Sequence, residues 1–246
     1  MFIVTGMHRS GTSLVARLLY EGGADLGDPT QFIAADRWNP DGYYEQADVI
    51  NINQQLIHGP FGKLAYFALP GDATIQRRAQ RTSNEIKRVA SENENKFVKD
   101  CRFCLTLPAW RQHGVEPRSV LICLRHPFEV ALSLRRRNKI TMHQGYNLWL
   151  LHNSRLLDSL QGLRCHFTIY SNYLDVEKIR EEIRLLGAFC NISFDANMVD
   201  KFVASVKPQN RLDNESDKKQ LPEDVAILWD DLLSRMMSAR YTQSIT

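Results

Sequence analysis

The stretch Phe2-Ile3-Val4-Thr5-Gly6-Met7-His8-Arg9-Ser10-Gly11-Thr12-Ser13 decides the fold. A short apolar run ends at a glycine and a second glycine follows five positions later. Leu14, Val15, Leu18 and Leu19 then recur at helical spacing as far as the stop signal Gly22-Gly23. The unit is strand, turn, helix. A glycine-flanked turn entering a helix leaves backbone N–H groups without intrahelical partners, and these form a nest suited to a phosphate. Compared with the nucleotide-binding pattern G-x-x-x-x-G-K-[ST], Thr12 stands where a lysine would reach the β- and γ-phosphates. The loop's cation is Arg9, three residues earlier, and no apolar strand ending in aspartate offers the magnesium ligand of nucleoside triphosphatases.

Outward from this unit, strand and helix signals alternate. Gly27 to Gly42 is a Pro/Gly-rich surface loop, and Val49, Ile52 and Leu56 mark an amphipathic helix ending near Gly59-Pro60. Asp72 to Asn95, with Arg77, Arg78, Arg81, Lys87 and Arg88 among polar positions, reads as an exposed helix. Phe97-Val98 is a brief strand, whereas Ser119 to Leu124 is a continuous apolar strand of the kind buried on both faces of a parallel sheet. Pro127 opens a helix to about Asn138, and Tyr146, Trp149, Leu150, Leu156, Leu157 and Leu160 mark the next. Phe167 to Tyr170 is a strand; helical patterns follow around 176–187, 195–204 and 222–240, with Lys207 to Gln220 a polar, mobile connection. Without an internal repeat or composition break, the chain reads as a single α/β domain over 1–246. It should have three layers, with a mostly parallel central sheet of four or five strands flanked by helices. The strands at 2–5 and 119–124 should be interior neighbours, since each feeds a ligand loop and a helix.

Composition removes several classes of function. Hydrophobic residues at 43% and charged residues at 24% are those of a folding globular chain. A net charge of +3 over 246 residues is too small to bind long nucleic acids by bulk charge, so any anion must be held locally. The longest apolar runs fall far short of the roughly 18 residues that span a membrane. The start, Met1-Phe2-Ile3-Val4, has no basic region or long apolar region of a secretory signal, so a cytoplasmic protein is expected. Five cysteines then read as free thiols; Cys101 and Cys104 have redox or zinc spacing, but no second pair or histidine cluster completes a site, and no metal is expected.

A second constellation follows the central strand. Arg125 ends that strand, where open α/β sheets bind ligands, and in Arg125-His126-Pro127-Phe128-Glu129-Val130-Ala131-Leu132-Ser133 the serine lies about two turns into the next helix. Both residues could grip one phosphate.

In these two motifs the sequence resembles the sulfotransferases that use 3′-phosphoadenosine 5′-phosphosulfate. Arg9-Ser10-Gly11-Thr12-Ser13 matches that family's 5′-phosphosulfate loop, [KR]-[SG]-G-T-[TS]; Arg125 with Ser133 matches its 3′-phosphate motif, an arginine after a central strand with a serine eight residues later. With Asn39-Pro40-Asp41-Gly42-Tyr43-Tyr44-Glu45 and Lys99-Asp100-Cys101-Arg102, the chain looks like a bacterial-type branch rather than a cytosolic steroid or phenol enzyme, although that branch usually has proline where Cys101 stands. The resemblance runs from residue 2 to about 175. It implies a P-loop-like sulfotransferase fold, the phosphosulfate nucleotide as co-substrate, no metal, and transfer to an acceptor hydroxyl on a glycan, lipid or small metabolite. The family's C-terminal Arg-Lys-Gly segment is not recognisable, which leaves Lys207 or Arg211 to complete the hold on the 3′-phosphate.

Sulfuryl transfer passes an electrophilic group in line between oxygens, so positioning and cationic stabilisation carry the catalysis. Arg9 is placed to supply the charge. Lys99 resembles a family lysine near the sulfuryl group and reads equally as a strand-end salt bridge. Glu45 resembles the base, or caps a helix N-terminus. His58 and His8 remain alternatives for that proton. Tyr170 resembles the family's adenine-contacting tyrosine, or is a core tyrosine. A nucleoside kinase and a non-catalytic nucleotide-binding module are the competing readings, and the residue at position 12 argues against the first.

Overall fold

The computed structural model describes residues 1–37, 39–59, 69–206 and 220–243. Strand β1 (Phe2–Thr5) pairs in parallel with β2 (Phe97–Lys99) on one side and β3 (Ser119–Leu124) on the other, and β3 pairs in parallel with β4 (Cys165–Ile169). The order β2-β1-β3-β4 makes β1 and β3 interior neighbours, as the apolar runs imply. Their register sets Thr5 beside Ile122, so the chain leaves both strands at the same edge of the sheet. Gly6 is required there: its φ is +145°, and a Cβ would lie 2.3 Å from the carbonyl oxygen of Cys123.

Alternating strand residues feed two cores. Val120, Ile122 and Leu124 face one side of the sheet, where Ile52, Leu56, Phe103, Trp110, Trp149 and Leu232 pack; Leu121 and Cys123 face the other, with Leu18, Leu19, Ile183, Leu186 and Phe202. The first layer is built from α2 (Ala47–His58), α3 (Asp72–Arg81), α4 (Ser83–Glu92), α5 (Phe103–Gln112), α6 (Pro127–Asn138), α7 (Met142–Ser159) and α10 (Glu223–Gln243). The second holds α1 (Thr12–Glu21), α8 (Ile179–Cys190) and α9 (Ala196–Ser205). The architecture is three-layer α/β with a parallel sheet. No helix among the described residues is long and apolar enough to cross a membrane.

Two readings of the sequence need correction. The segment 72–95 is two helices broken at Thr82, and it is not simply exposed: Ile75 and Ala79 on α3 and Ile86 and Val89 on α4 are buried. Two buried apolar residues per helix suffice, and α3 packs against both α2 and α5. Helix α5 has no counterpart in the sequence reading. Phe103, Cys104, Leu105, Thr106, Leu107, Ala109 and Trp110 are all buried, so it presents no apolar stripe with a polar opposite face. The five cysteines are free thiols. Lys207 and Arg211 lie outside the described residues, as does nearly all of the connection read as mobile.

Candidate functional site

The turn after β1 is held in an unusual backbone. Arg9 has φ +73°, a left-handed conformation that a non-glycine residue adopts at a cost and that clusters at functional sites. Ser10 N–H donates to the Met7 carbonyl at 3.1 Å and closes the turn. Gly11 then begins α1 with φ +88°, and no side chain caps that helix. The amides left open at this helix start are therefore those of Gly11, Thr12 and Ser13, with Ser10's amide committed to the turn. A Cβ on Gly11 would meet the Tyr170 ring at 2.3 Å, so the glycine also lets that ring lie against the loop.

The second motif is wired into the first. Arg9 Nε donates to Ser133 Oγ at 2.9 Å, and Arg125 Nη1 donates to the Arg9 carbonyl at 3.1 Å. Arg125 lies over Tyr170, its guanidinium carbon 4.3 Å from the ring centroid, and its Nε donates to Glu129 at 2.7 Å. Its Nη2 is buried and has no hydrogen-bond partner among the described residues. A charged donor in that position is costly unless an acceptor reaches it. Burial, and then the charges of Arg137 and Arg125, hold the Arg9 guanidinium below its ordinary pKa. Like charges gathered in this way favour an anionic ligand. The role of Glu129 in holding Arg125 was missed in the sequence, although its i,i+4 spacing at the start of α6 was a visible signal.

Lys99 and Glu45 meet on the other flank. Their side chains are 2% and 8% exposed and form an ion pair, while Lys99 Nζ also donates to Ser13 Oγ at 3.2 Å. Arg102 Nη1 lies 3.8 Å from the second Glu45 oxygen and 2.9 Å from Asp100 Oδ1. Asp100 Oδ2 accepts from Asn53 at 2.8 Å, and Asn53 Oδ1 accepts from Thr106 and Trp110, which leaves the network well satisfied. Tyr44, with φ +56°, makes the strained turn immediately before Glu45. Glu45 does not cap α2: the N-cap is Gln46, and the Glu45 carboxylate goes to Lys99. Glu45, Asp100 and Cys101 place potential metal-ligating atoms within 4.8 Å of one another, but both carboxylates are already engaged by Lys99, Arg102 and Asn53.

His8, His58 and His152 converge on a cavity beside this network. His8 Nδ1 is 3.0 Å from Cys101 Sγ, and the His8 and His152 rings are edge to face at 5.9 Å. Burial, reinforced by the charge of Arg102, holds His8 well below its ordinary pKa. Burial likewise pushes His152 down to about 4, against a hydrogen bond of 2.7 Å to the Leu148 carbonyl. Both imidazoles are therefore neutral at neutral pH. His152 gave no sequence signal, because a histidine within the apolar pattern of a helix looks like any other core position.

The depressed histidines make stability depend on pH. Below pH 6.5 the unfolded chain takes up protons that the folded imidazoles refuse, so stability present above 6.5 is lost as pH falls towards 4. From His152, at about 4 against 6.5 unfolded, the loss is roughly 3 kcal/mol, and His8 adds in the same direction. Urea unfolding of the wild type and of His152→Asn, at pH 7 and pH 4, checks this. The variant, whose amide can still donate to Leu148, should lose roughly 3 kcal/mol less on acidification, and parallel losses would show a charged His152 in the fold.

No protein-family model and no curated protein matches the sequence. Among solved structures, the fold is similar to the sulfotransferase domain from the Synechococcus PCC 7002 olefin synthase, at a TM-score of 0.55 and 16% identity over 94% of this chain and 93% of that one. It is also similar to the sulfotransferase domain from the curacin biosynthetic pathway, at 0.55 and 15% identity, over 94% of this chain and 96% of that one.

Proposed function

We propose that this chain transfers a sulfuryl group from 3′-phosphoadenosine 5′-phosphosulfate to an acceptor hydroxyl. The observation that carries the reading is two sets of open donors at the exits of neighbouring parallel strands, each suited to an anion. One is the open amides of Gly11, Thr12 and Ser13; the other is Arg125 with Ser133, where a buried guanidinium nitrogen lacks an acceptor. A nucleotide phosphorylated at both its 5′ and 3′ positions fits such a pair. A nucleoside triphosphate, with every phosphate on the 5′ side, leaves Arg125 Nη2 unmet. The sulfotransferase domains that share the fold support the same reading.

In the reaction, the acceptor oxygen forms its bond to sulfur as the bond from sulfur to the 5′-phosphate oxygen breaks. The acceptor proton passes to a base, and the electron pair stays with the departing adenosine 3′,5′-bisphosphate. Arg9, within the loop and bonded to Ser133, and Lys99, which donates to Ser13, meet the charge that grows on the transferring and leaving oxygens. Tyr170, set between Gly11 and Arg125, braces the two phosphate sites and offers its remaining edge to the adenosine.

Calorimetry with adenosine 3′,5′-bisphosphate, without added metal, tests the reading. The wild type should bind, and Arg125→Ala should bind roughly 10- to 100-fold more weakly through loss of a charge-assisted contact. Adenosine 5′-phosphate should bind the wild type more weakly and be nearly indifferent to the substitution. Since Arg125→Ala also removes the guanidinium that donates to buried Glu129, Arg125→Ala/Glu129→Ala carries the same measurement with both members of that pair removed. Unchanged affinity in a folded variant refutes the assignment, and magnesium-dependent binding of ATP in place of the bisphosphate points to a kinase.

A further inference from the structure

We infer that the histidine-lined cavity receives the acceptor, and that it selects a hydroxyl whose carrier seats a compact, uncharged, largely apolar group, about one six-membered ring in size, in the cavity. This inference rests on the sulfuryl-transfer reading above. The cavity holds about 110 Å³. An apolar cavity of about 150 Å³ takes up benzene, so the part of the acceptor that sits in this space is at most about one ring in size.

The position of the cavity ties it to the loop. His8, in its wall, immediately precedes Arg9, whose Nε is fixed on Ser133. Arg102, also in its wall, faces Glu45, and Glu45 holds the Lys99 that reaches Ser13. A hydroxyl seated there lies on the cationic flank of the loop.

The lining sets the chemical class. Ile57, Leu69 and Leu105 make an aliphatic wall. A sugar of the same ring size would press several hydroxyls against that wall, and each buried hydroxyl without a partner opposes binding. No carboxylate is among the described lining residues, so an ammonium group finds no counter-ion among them. Arg102 is the one arginine among them, and its guanidinium is committed to Asp100, with Glu45 beyond, so it does not demand an anionic acceptor. The polar side of the cavity is imidazole. At His152 the hydrogen bond from Nδ1 to the Leu148 carbonyl places the proton on Nδ1 and leaves Nε2 as an acceptor, a tautomer suited to receive a hydroxyl proton.

The test is a ¹⁹F NMR titration of 4-fluorobenzyl alcohol into the protein, with and without adenosine 3′,5′-bisphosphate, and with methyl α-glucoside as a competitor of similar ring size. Wild type should show saturable binding that an equal concentration of the glucoside does not displace. Leu69→Trp, which fills the cavity, should weaken that binding at least tenfold while leaving bisphosphate affinity unchanged; Leu105→Phe serves if the first variant does not fold. The inference is overturned if the alcohol fails to saturate, if the glucoside displaces it, or if a folded cavity-filling variant binds it as the wild type does. Failure of the sulfuryl-transfer reading is seen separately. In that case the bisphosphate does not bind by calorimetry, while the alcohol's response to Leu69→Trp still shows whether the cavity binds such groups.

Discussion

Arg9→Ala is expected to lower turnover by on the order of 10²–10³, the loss seen when one preorganised donor to a developing oxyanion is removed. Charge on the transferring and leaving oxygens grows between ground state and transition state, so a cation at the loop stabilises the second more than the first. Arg9 is prepared for that role. Its Nε is fixed by Ser133, its carbonyl by Arg125, and its backbone occupies a left-handed conformation that the surrounding contacts enforce. Nucleotide affinity should fall much less than turnover, because the amides of Gly11 to Ser13 and the Arg125 guanidinium remain. Steady-state kinetics with a turnover assay, set beside calorimetry on the same variant, separate the two. Equal losses in both would make Arg9 a binding residue only. Arg9→Lys should recover charge but not the fixed fork that Ser133 holds, and so only part of the rate.

Glu45→Gln is expected to cost about 3–5 kcal/mol of stability, because it leaves the Lys99 ammonium buried without its counter-ion. That figure exceeds the effect of losing an exposed ion pair, since both side chains are almost fully covered. Glu45→Gln/Lys99→Met removes both charges and should recover much of the loss, a coupling that chemical denaturation of the two single variants and the double variant measures. The same variants decide whether Glu45 takes the acceptor proton. A base loses roughly 10²–10⁴ in turnover on conversion to the amide. If Glu45→Gln, assayed well below its unfolding transition, turns over near the wild-type rate, Glu45 acts only by holding Lys99, and the proton goes to an imidazole of the cavity. A Glu45→Gln protein as stable as the wild type would show that the pair contributes no net stability.

The residues singled out in the sequence gather at one edge of the sheet wherever they fall within the described chain. Arg9, Ser10, Gly11, Thr12 and Ser13 come from the turn after β1, Lys99 from the end of β2, Arg125 and Ser133 from the exit of β3, Tyr170 from the exit of β4, and Glu45 from the loop before α2. That convergence follows from topology: parallel strands all end at the same edge, so residues one step beyond each strand become neighbours however far apart they are in the chain. The roles assigned to them are tested by the variants above.

What the sequence determined by itself is whatever is written in local periodicity. The strand, turn and helix of residues 2–21, the buried run 119–124 and the glycines that close the loop are all properties of near neighbours along the chain. Pairings were decided only by the tertiary structure. Arg9 bonds Ser133 across 124 positions and Lys99 bonds Glu45 across 54, and nothing local distinguishes these partners from the other serines and carboxylates. The same holds for His152, which becomes a cavity wall because α7 packs against α5, and for α5 itself, whose burial on every side erases the amphipathic stripe by which a helix is seen. Periodicity reports which face of an element is buried, and it says nothing about which distant residue buries it.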